Sequence, residues 1–137
     1  MIHQFNKDSC FLITGVAGFI GANIAETLLK AGYRVRGLDN FITGSEHNMV
    51  TFKNHPQFNF IEADVTDLDA CMSACEGVDF VLHQAALGSV PRSVKNPMAT
   101  HQINTTGTLN VFWAANQQKV KRVVYASSSS VYGDSTA

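Results

Sequence analysis

The chain has 137 residues, is 45% hydrophobic, and sets 10 Lys and Arg against 11 Asp and Glu for a net charge of −1. That length carries one domain with a real core. No basic block or basic face interleaved with aromatics is present, which argues against nucleic acid as a partner. Residues 1–8 contain no apolar h-region, and the apolar stretch 10–29 is interrupted by Asn23 and Glu26. Neither a signal peptide nor a membrane span is predicted, and the expected location is the cytoplasm. Cys10, Cys71 and Cys75 lack the histidine partners of a zinc site and read as small buried hydrophobes in a reducing compartment, so no metal is expected.

The first element is a short apolar strand, Cys10-Phe11-Leu12-Ile13, followed by Thr14-Gly15-Val16-Ala17-Gly18-Phe19-Ile20-Gly21 and an amphipathic helix carrying Ile24, Leu28 and Leu29. Strand, glycine turn and helix in that order make a phosphate cradle. Gly15 turns the chain sharply, Gly18 leaves room for a pyrophosphate, and Gly21 lets the helix pack closely on the sheet. Phe19 and Ile20 open the helix, whose first N–H groups and positive dipole end face an anion. The spacing is G-x-x-G-x-x-G rather than the commoner G-x-G-x-x-G, and glycines alone also mark ordinary turns.

A second strand over residues 33–38 ends at Asp39, 18 residues beyond Gly21. The dinucleotide motif calls for an acid at about 20 residues, where it accepts hydrogen bonds from the adenosine ribose. The alternative for Asp39 is an exposed acid at a strand end. A carboxylate there repels a 2′-phosphate, so NAD is favoured over NADP, with Arg34 and Arg36 of the same strand weighing the other way.

Beyond Asp39 the pattern predicts a polar loop, a short helix over 45–54, and a third strand over 57–62. A helix capped by Thr66 follows through Ser73, then a fourth strand over 78–83, a long helix over 97–118 and a fifth strand over 122–126. Strands joined by crossover helices imply a doubly wound α/β fold, a parallel Rossmann sheet of about five strands. Ligands bind at the carboxyl ends of such strands. Those ends carry Gly15, Asp39, Asp64, Ala85-Ala86 and Ser127-Ser128.

Taken together, Thr14 to Gly21, Asp39-Asn40, Asp64-Val65, His83-Gln84-Ala85-Ala86, Asn104 and the SSSSVYG run from Ser127 to Gly133 resemble the extended short-chain dehydrogenase/reductase family. Within it, they are similar to the NAD-dependent nucleotide-sugar epimerases. The resemblance spans essentially the whole chain. The run from His83 to Ser93 looks like the branch acting on UDP-N-acetylhexosamines and their uronic acids. The resemblance implies NAD as cofactor, with Asn40 and Ser127 beside it, Asp64 and Val65 holding the adenine, and Ala85 and Ala86 admitting it to the backbone. It implies Asn104 near the nicotinamide, Ser128 on the sugar hydroxyl being oxidised, and Ser89 and Arg92 beside the sugar nucleotide. The alternatives are a surface Asn104, a Ser128 that caps a strand end, and a solvated Arg92. His83 ends a buried strand and has no part in the family chemistry.

Residues 129 and 130 separate the reactions. The family's 4,6-dehydratases carry an Asp-Glu pair there, and decarboxylating relatives a Glu at the second position. Both are serine here, and neither exchanges protons near neutral pH unaided. Epimerisation is the expected reaction.

The family's catalytic base is the tyrosine of a Tyr-x-x-x-Lys pair on the next helix, its pKa lowered by the lysine. The sequence ends nine residues after Ser128, and Tyr132 has no lysine four residues on. Negligible turnover is therefore expected of these residues by themselves. An exposed fifth strand is expected to favour self-association or pairing with a fragment that carries the missing strands. Two other functions stay open: a free-standing NAD-binding regulatory module, and a non-catalytic remnant.

Overall fold

A computed structural model describes residues 5–133 of the chain. The first strand, β1 (Cys10–Thr14), is buried at every position, as a strand covered on both faces must be. It lies at the centre of a sheet that also contains β2 (Arg34–Asp39), β3 (Phe58–Glu62), β4 (Phe80–His83) and β5 (Arg122–Tyr125). The order is β3-β2-β1-β4-β5, and all neighbours run parallel. The chain winds outward from β1 through β2 to β3, then crosses back to β4 and β5. The strand order therefore reverses between β1 and β4, where such sheets open a ligand crevice. Thr14 sits at that point, with Leu38 opposite on one side and His83 on the other.

Successive residues of β1 point to opposite faces and seed two cores. Ile13 packs with Val16, Ala25, Leu29, Val35 and Phe52 under α1 (Phe19–Lys30). Leu12 packs with Leu38, Val81, Val111 and Ala114 beneath α2 (Leu68–Cys75) and the last long helix. Cys71 and Cys75 belong to this second core. All three cysteines are free and buried.

The five predicted strands are present with small shifts of their ends. Other elements differ. In place of a helix over 45–54 there is one 3₁₀ turn (Glu46–Met49), its start capped by Ser45, whose side chain accepts from the His47 N–H. Asp67, not Thr66, caps α2 by accepting from the Ala70 N–H at 3.1 Å. Thr66 stands one residue too early, and its own N–H is donated to Asp64. An unpredicted helix, α3 (Val90–Lys95), has Pro91 in its first turn. The long helix starts at Pro97 as expected but is not uniform. It runs as α4 (Pro97–His101), a π turn (Gln102–Thr106) and α5 (Gly107–Gln117). No helix among the described residues is long and apolar enough to cross a membrane.

Candidate functional site

The carboxyl ends of β1, β2, β3 and β4 border an open cleft, lined by Gly15, Gly18, Asp39, Asn40, Asp64, Val65, Ala85 and Ala86 among others. Of the strand ends singled out in the sequence, those carrying Gly15, Asp39, Asp64 and Ala85-Ala86 meet there, while Ser127 and Ser128 do not line the cleft.

The glycine loop is built with little spare volume. Gly15 has φ +71°, and a Cβ there would stand 2.8 Å from the Ala85 amide nitrogen. At Gly21 a Cβ would overlap the Gly15 carbonyl oxygen, so only glycine lets α1 come this close to the turn. Gly18 is different. A Cβ there would meet only the Gly15 oxygen, at 3.2 Å, and otherwise faces the cleft. Phe19 and Ile20 expose their side chains at the start of α1, and by helix geometry their N–H groups have no carbonyl one turn back to bond.

Asp39 is buried, not an exposed strand-end acid. One carboxylate oxygen accepts from the Ala17 N–H at 2.9 Å, inside the glycine loop. The other accepts from the Phe41 N–H at 2.9 Å. Each oxygen keeps a further acceptor site, and the residue lines the cleft. Asn40 donates its amide to Asp64 at 2.6 Å, and the second Asp64 oxygen accepts from the Thr66 N–H at 2.8 Å. Burial pushes the Asp64 pKa up, but the Thr66 and Asn40 hydrogen bonds outweigh it and leave the group below the usual carboxylate range. Val65 is buried against Gly107, and it lines the cleft beside Asp64.

The two arginines that weigh against NAD in the sequence are turned away. Arg34 donates to the Asp8 carbonyl. Arg36 donates to the carbonyls of Ala74 and Glu76, at 2.7 Å each, closing the end of α2. Neither lines the cleft.

Ala85 and Ala86 form the wall facing Gly15. Asn104, in the π turn, is half-buried rather than a free surface residue. Its side-chain oxygen accepts from the Leu87 N–H at 2.7 Å, and its amide donates to the Leu87 carbonyl at 2.9 Å. It holds the segment after β4 by both ends. Ser89 begins α3 with φ +98°, a strained value for a side-chain-bearing residue. Arg92 is exposed and donates to the Gly88 carbonyl at 3.1 Å. Neither Ser89 nor Arg92 lines the cleft. Ser127 and Ser128 follow β5 at the same end of the sheet, and both are exposed. The side chains at 129 and 130 lie outside the described part.

His83, a strand-end residue with no expected role in the chemistry, has two side-chain partners in the structure. Its ring is buried between Thr14, whose hydroxyl is 2.6 Å from Nδ1, and Thr108, whose hydroxyl is 2.9 Å from Nε2. Burial pulls its pKa down to about 4. No local signal marks these pairings, since Thr14 and His83 are 69 positions apart. The thiols are pushed the other way by burial, Cys71 to about 12 and Cys75 to about 11, so both stay protonated and unreactive.

The residues fit a dinucleotide. The loop has no room for side chains at Gly15 and Gly21, its open face lies at Gly18, and an acid with acceptor capacity stands at the end of β2. These features define a nucleotide-binding α/β protein of the doubly wound class. Comparison with known proteins narrows the class: residues 11–137 match the NAD dependent epimerase/dehydratase family, and the chain belongs to it. It is 38% identical over 125 residues to a putative UDP-glucose 4-epimerase of Methanocaldococcus jannaschii, covering 90% of this chain and 39% of that one. Its structure superposes with a TM-score of 0.88 on the UDP-N-acetylglucosamine 4-epimerase of Methanobrevibacter ruminantium in complex with UDP-N-acetylmuramic acid, at 35% identity, covering 96% of this chain and 41% of that one. A dTDP-glucose 4,6-dehydratase of Streptomyces venezuelae with NAD bound gives the same TM-score at 30% identity, covering 93% and 42%. The chain thus spans about two-fifths of the length of these relatives.

Proposed function

We propose that this chain is the NAD-binding portion of a cytoplasmic nucleotide-sugar epimerase, one that inverts C4 of a UDP-hexosamine or its uronic acid through a 4-keto sugar. The observation that carries the cofactor half is Asp39. Two backbone N–H groups hold its carboxylate at the cleft while both arginines of its strand point elsewhere. That arrangement suits an unphosphorylated ribose and repels a 2′-phosphate.

The same reading gives the chain's residues the following roles. Gly15, Gly18, Gly21 and the N–H groups of Phe19 and Ile20 receive the diphosphate. Asp39 takes the adenosine ribose. Asn40, Asp64 and Val65 flank the adenine, with Asn40 and Asp64 locking each other's orientation. Ala85, Ala86 and Ser127 border the nicotinamide half, and Asn104, near it, holds the Leu87 backbone in place. NAD, when bound, supplies the hydride acceptor. Ser128 hydrogen-bonds the sugar hydroxyl that loses its proton, and Ser89 and Arg92 are assigned a place beside the sugar nucleotide, where the guanidinium suits a phosphate or carboxylate. Serines at 129 and 130 supply neither the acid nor the base that water loss requires, which favours epimerisation over dehydration. The relatives that act on or bind UDP-sugars support the substrate class.

The hydroxyl-deprotonating base belongs to a Tyr-x-x-x-Lys pair that these 137 residues do not contain. These residues alone are therefore expected to bind NAD without turnover. The edge of β5, where Val124 and Tyr125 are half-exposed, is the proposed seat of a further strand, from a second copy or from a segment carrying that pair.

Calorimetric titration with NAD⁺ tests the cofactor half. Binding with a Kd on the order of micromolar, and much weaker binding of NADP⁺, is expected. A chain that folds but ignores both dinucleotides overturns the assignment. Adding a fragment with the Tyr-x-x-x-Lys segment is expected to restore epimerisation of a UDP-hexosamine. Light scattering at rising concentration tests self-association, and a strictly monomeric chain counts against it.

A further inference from the structure

The polar groups where β1, β4 and α5 meet can be followed proton by proton. Thr108 has one hydroxyl proton, and it is given to the Asn104 carbonyl at 2.7 Å. Toward His83 Nε2, at 2.9 Å, the Thr108 hydroxyl can then only accept, so Nε2 carries a proton. At the other side of the ring, the Thr14 hydroxyl receives the N–H groups of Gln84 and Ala85, each at 3.2 Å, the Gln84 N–H being shared with the Thr14 carbonyl at 3.2 Å. Those two donors occupy its lone-pair side. Its own proton has one direction left, into His83 Nδ1 at 2.6 Å. An imidazolium would place a third donor on an oxygen with two lone pairs. It would also leave the Thr14 proton without an acceptor in a buried site, at a cost of the desolvation kind. The hydrogen bonds are therefore all satisfied by one arrangement only: a neutral ring with its proton on Nε2.

The far end of this chain is the cleft wall. Ala85 lies against Gly15, so closely that a Cβ on Gly15 would stand 2.8 Å from the Ala85 nitrogen. Gln84, Ala85 and Gly15 all line the cleft. We infer that Thr108, His83 and Thr14 form one proton-ordered chain whose role is positional: it orients the Thr14 hydroxyl so that the Gln84–Ala85 backbone is held across the cleft from the glycine loop, setting the width of the cofactor site. This rests on the dinucleotide assignment of the cleft. His83 is thereby a positioning residue for cofactor binding, with no proton transfer to substrate. The π turn belongs to the device, since Asn104 holds Leu87 by its side chain and accepts Thr108 through its carbonyl.

The test is nitrogen-15 NMR of the histidine-labelled 137-residue chain, with His83 assigned by the signal lost in His83→Gln. A pyrrole-type Nε2 and a pyridine-type Nδ1 at neutral pH are expected. The opposite tautomer, or an even mixture, overturns the inference. Thr14→Ser keeps the hydroxyl and is expected to keep both the tautomer and the NAD⁺ affinity. Thr14→Val, and Thr108→Val on the helix side, are expected to weaken NAD⁺ by about tenfold or more. They are also expected to speed amide exchange at Gln84 and Ala85 while the far-ultraviolet spectrum stays native. Should Thr14→Val fail to fold, Thr108→Val and the serine variant still decide. Valine variants that bind NAD⁺ as the parent does overturn the inference. If the parent itself binds no NAD⁺, the cofactor assignment fails, while the tautomer and the Gln84 and Ala85 exchange rates still decide the chain.

Discussion

The Asp39 carboxylate accepts a hydrogen bond from the Ala17 backbone N–H at 2.9 Å, joining the end of β2 to the middle of the glycine loop across 22 positions. A single residue thus shapes the loop and presents acceptor capacity to the cleft. Replacing it removes both functions. Asp39→Ala leaves the buried Ala17 N–H and the half-buried Phe41 N–H without their acceptor. Loss of about 1–3 kcal/mol of folding stability is expected, together with a comparable loss of NAD⁺ affinity. Urea unfolding and calorimetry on the same preparation separate the two. A variant whose stability is untouched would mean that the carboxylate serves the ligand only.

The glycines of the loop are predicted to fail in different ways. Gly21→Ala places a methyl group into the Gly15 carbonyl, backbone against backbone, and is expected to cost about 1–3 kcal/mol or more of stability. Gly18→Ala has one tight contact and open cleft beyond, so the fold is expected to survive while NAD⁺ binding falls sharply. Gly88→Ala, with no atom near its added Cβ, is the control for both. Equal melting points for Gly18→Ala and Gly21→Ala would contradict the packing described for α1.

Stability is expected to fall with acid in a window set by His83. Its folded pKa of about 4 lies below the ordinary 6.5, so below pH 6.5 the unfolded chain takes up a proton that the folded chain refuses. The free energy of unfolding therefore declines as pH drops from about 6.5 toward 4, by about 3 kcal/mol at most. Asp64 and Asp79, the latter held low by Lys121 at 2.8 Å and by the Cys10 N–H at 2.9 Å just before β4, have depressed pKa values and act lower. Their contribution is present above the ordinary carboxylate range and is lost as pH falls through it. Denaturant midpoints measured from pH 7 to 4 for the parent and His83→Gln check the assignment. The decline above pH 4.5 is expected to vanish in the variant, and an identical slope would assign it to another group.

Much of this site is legible in local sequence patterns. Strand, glycine turn, helix and a second strand ending in acid follow one another along the chain, and their order dictates a parallel sheet with the acid at the cleft. The apolar run of β1 shows no period, and its burial on both faces explains why. Contacts between residues far apart in sequence are not legible in this way. Thr14 with His83, Asn104 with Leu87 and Arg36 with the end of α2 leave no mark on local composition. Thr66 is a fair cap by residue type, but Asp67 stands one position closer to the helix, and Asp64 takes the Thr66 N–H. The π turn is hidden too, because residues 102–106 carry ordinary helix-compatible side chains.

Arg36 provides the sharpest test of cofactor choice. In sequence it stands three residues before Asp39, where a guanidinium could serve a 2′-phosphate. In the fold it donates to the carbonyls of Ala74 and Glu76, satisfying acceptors that the end of α2 leaves open. Arg36→Met keeps most of the apolar stem and removes both bonds. Stability is expected to fall by about 1–2 kcal/mol. The ratio of NAD⁺ to NADP⁺ affinity is expected to stay as it was, because the guanidinium never reached the ribose. Measuring both dinucleotides by calorimetry on parent and variant decides the matter. A selective loss of NADP⁺ binding in Arg36→Met would show that the side chain leaves α2 for the ligand, and the exclusion of a 2′-phosphate would then rest on Asp39 alone.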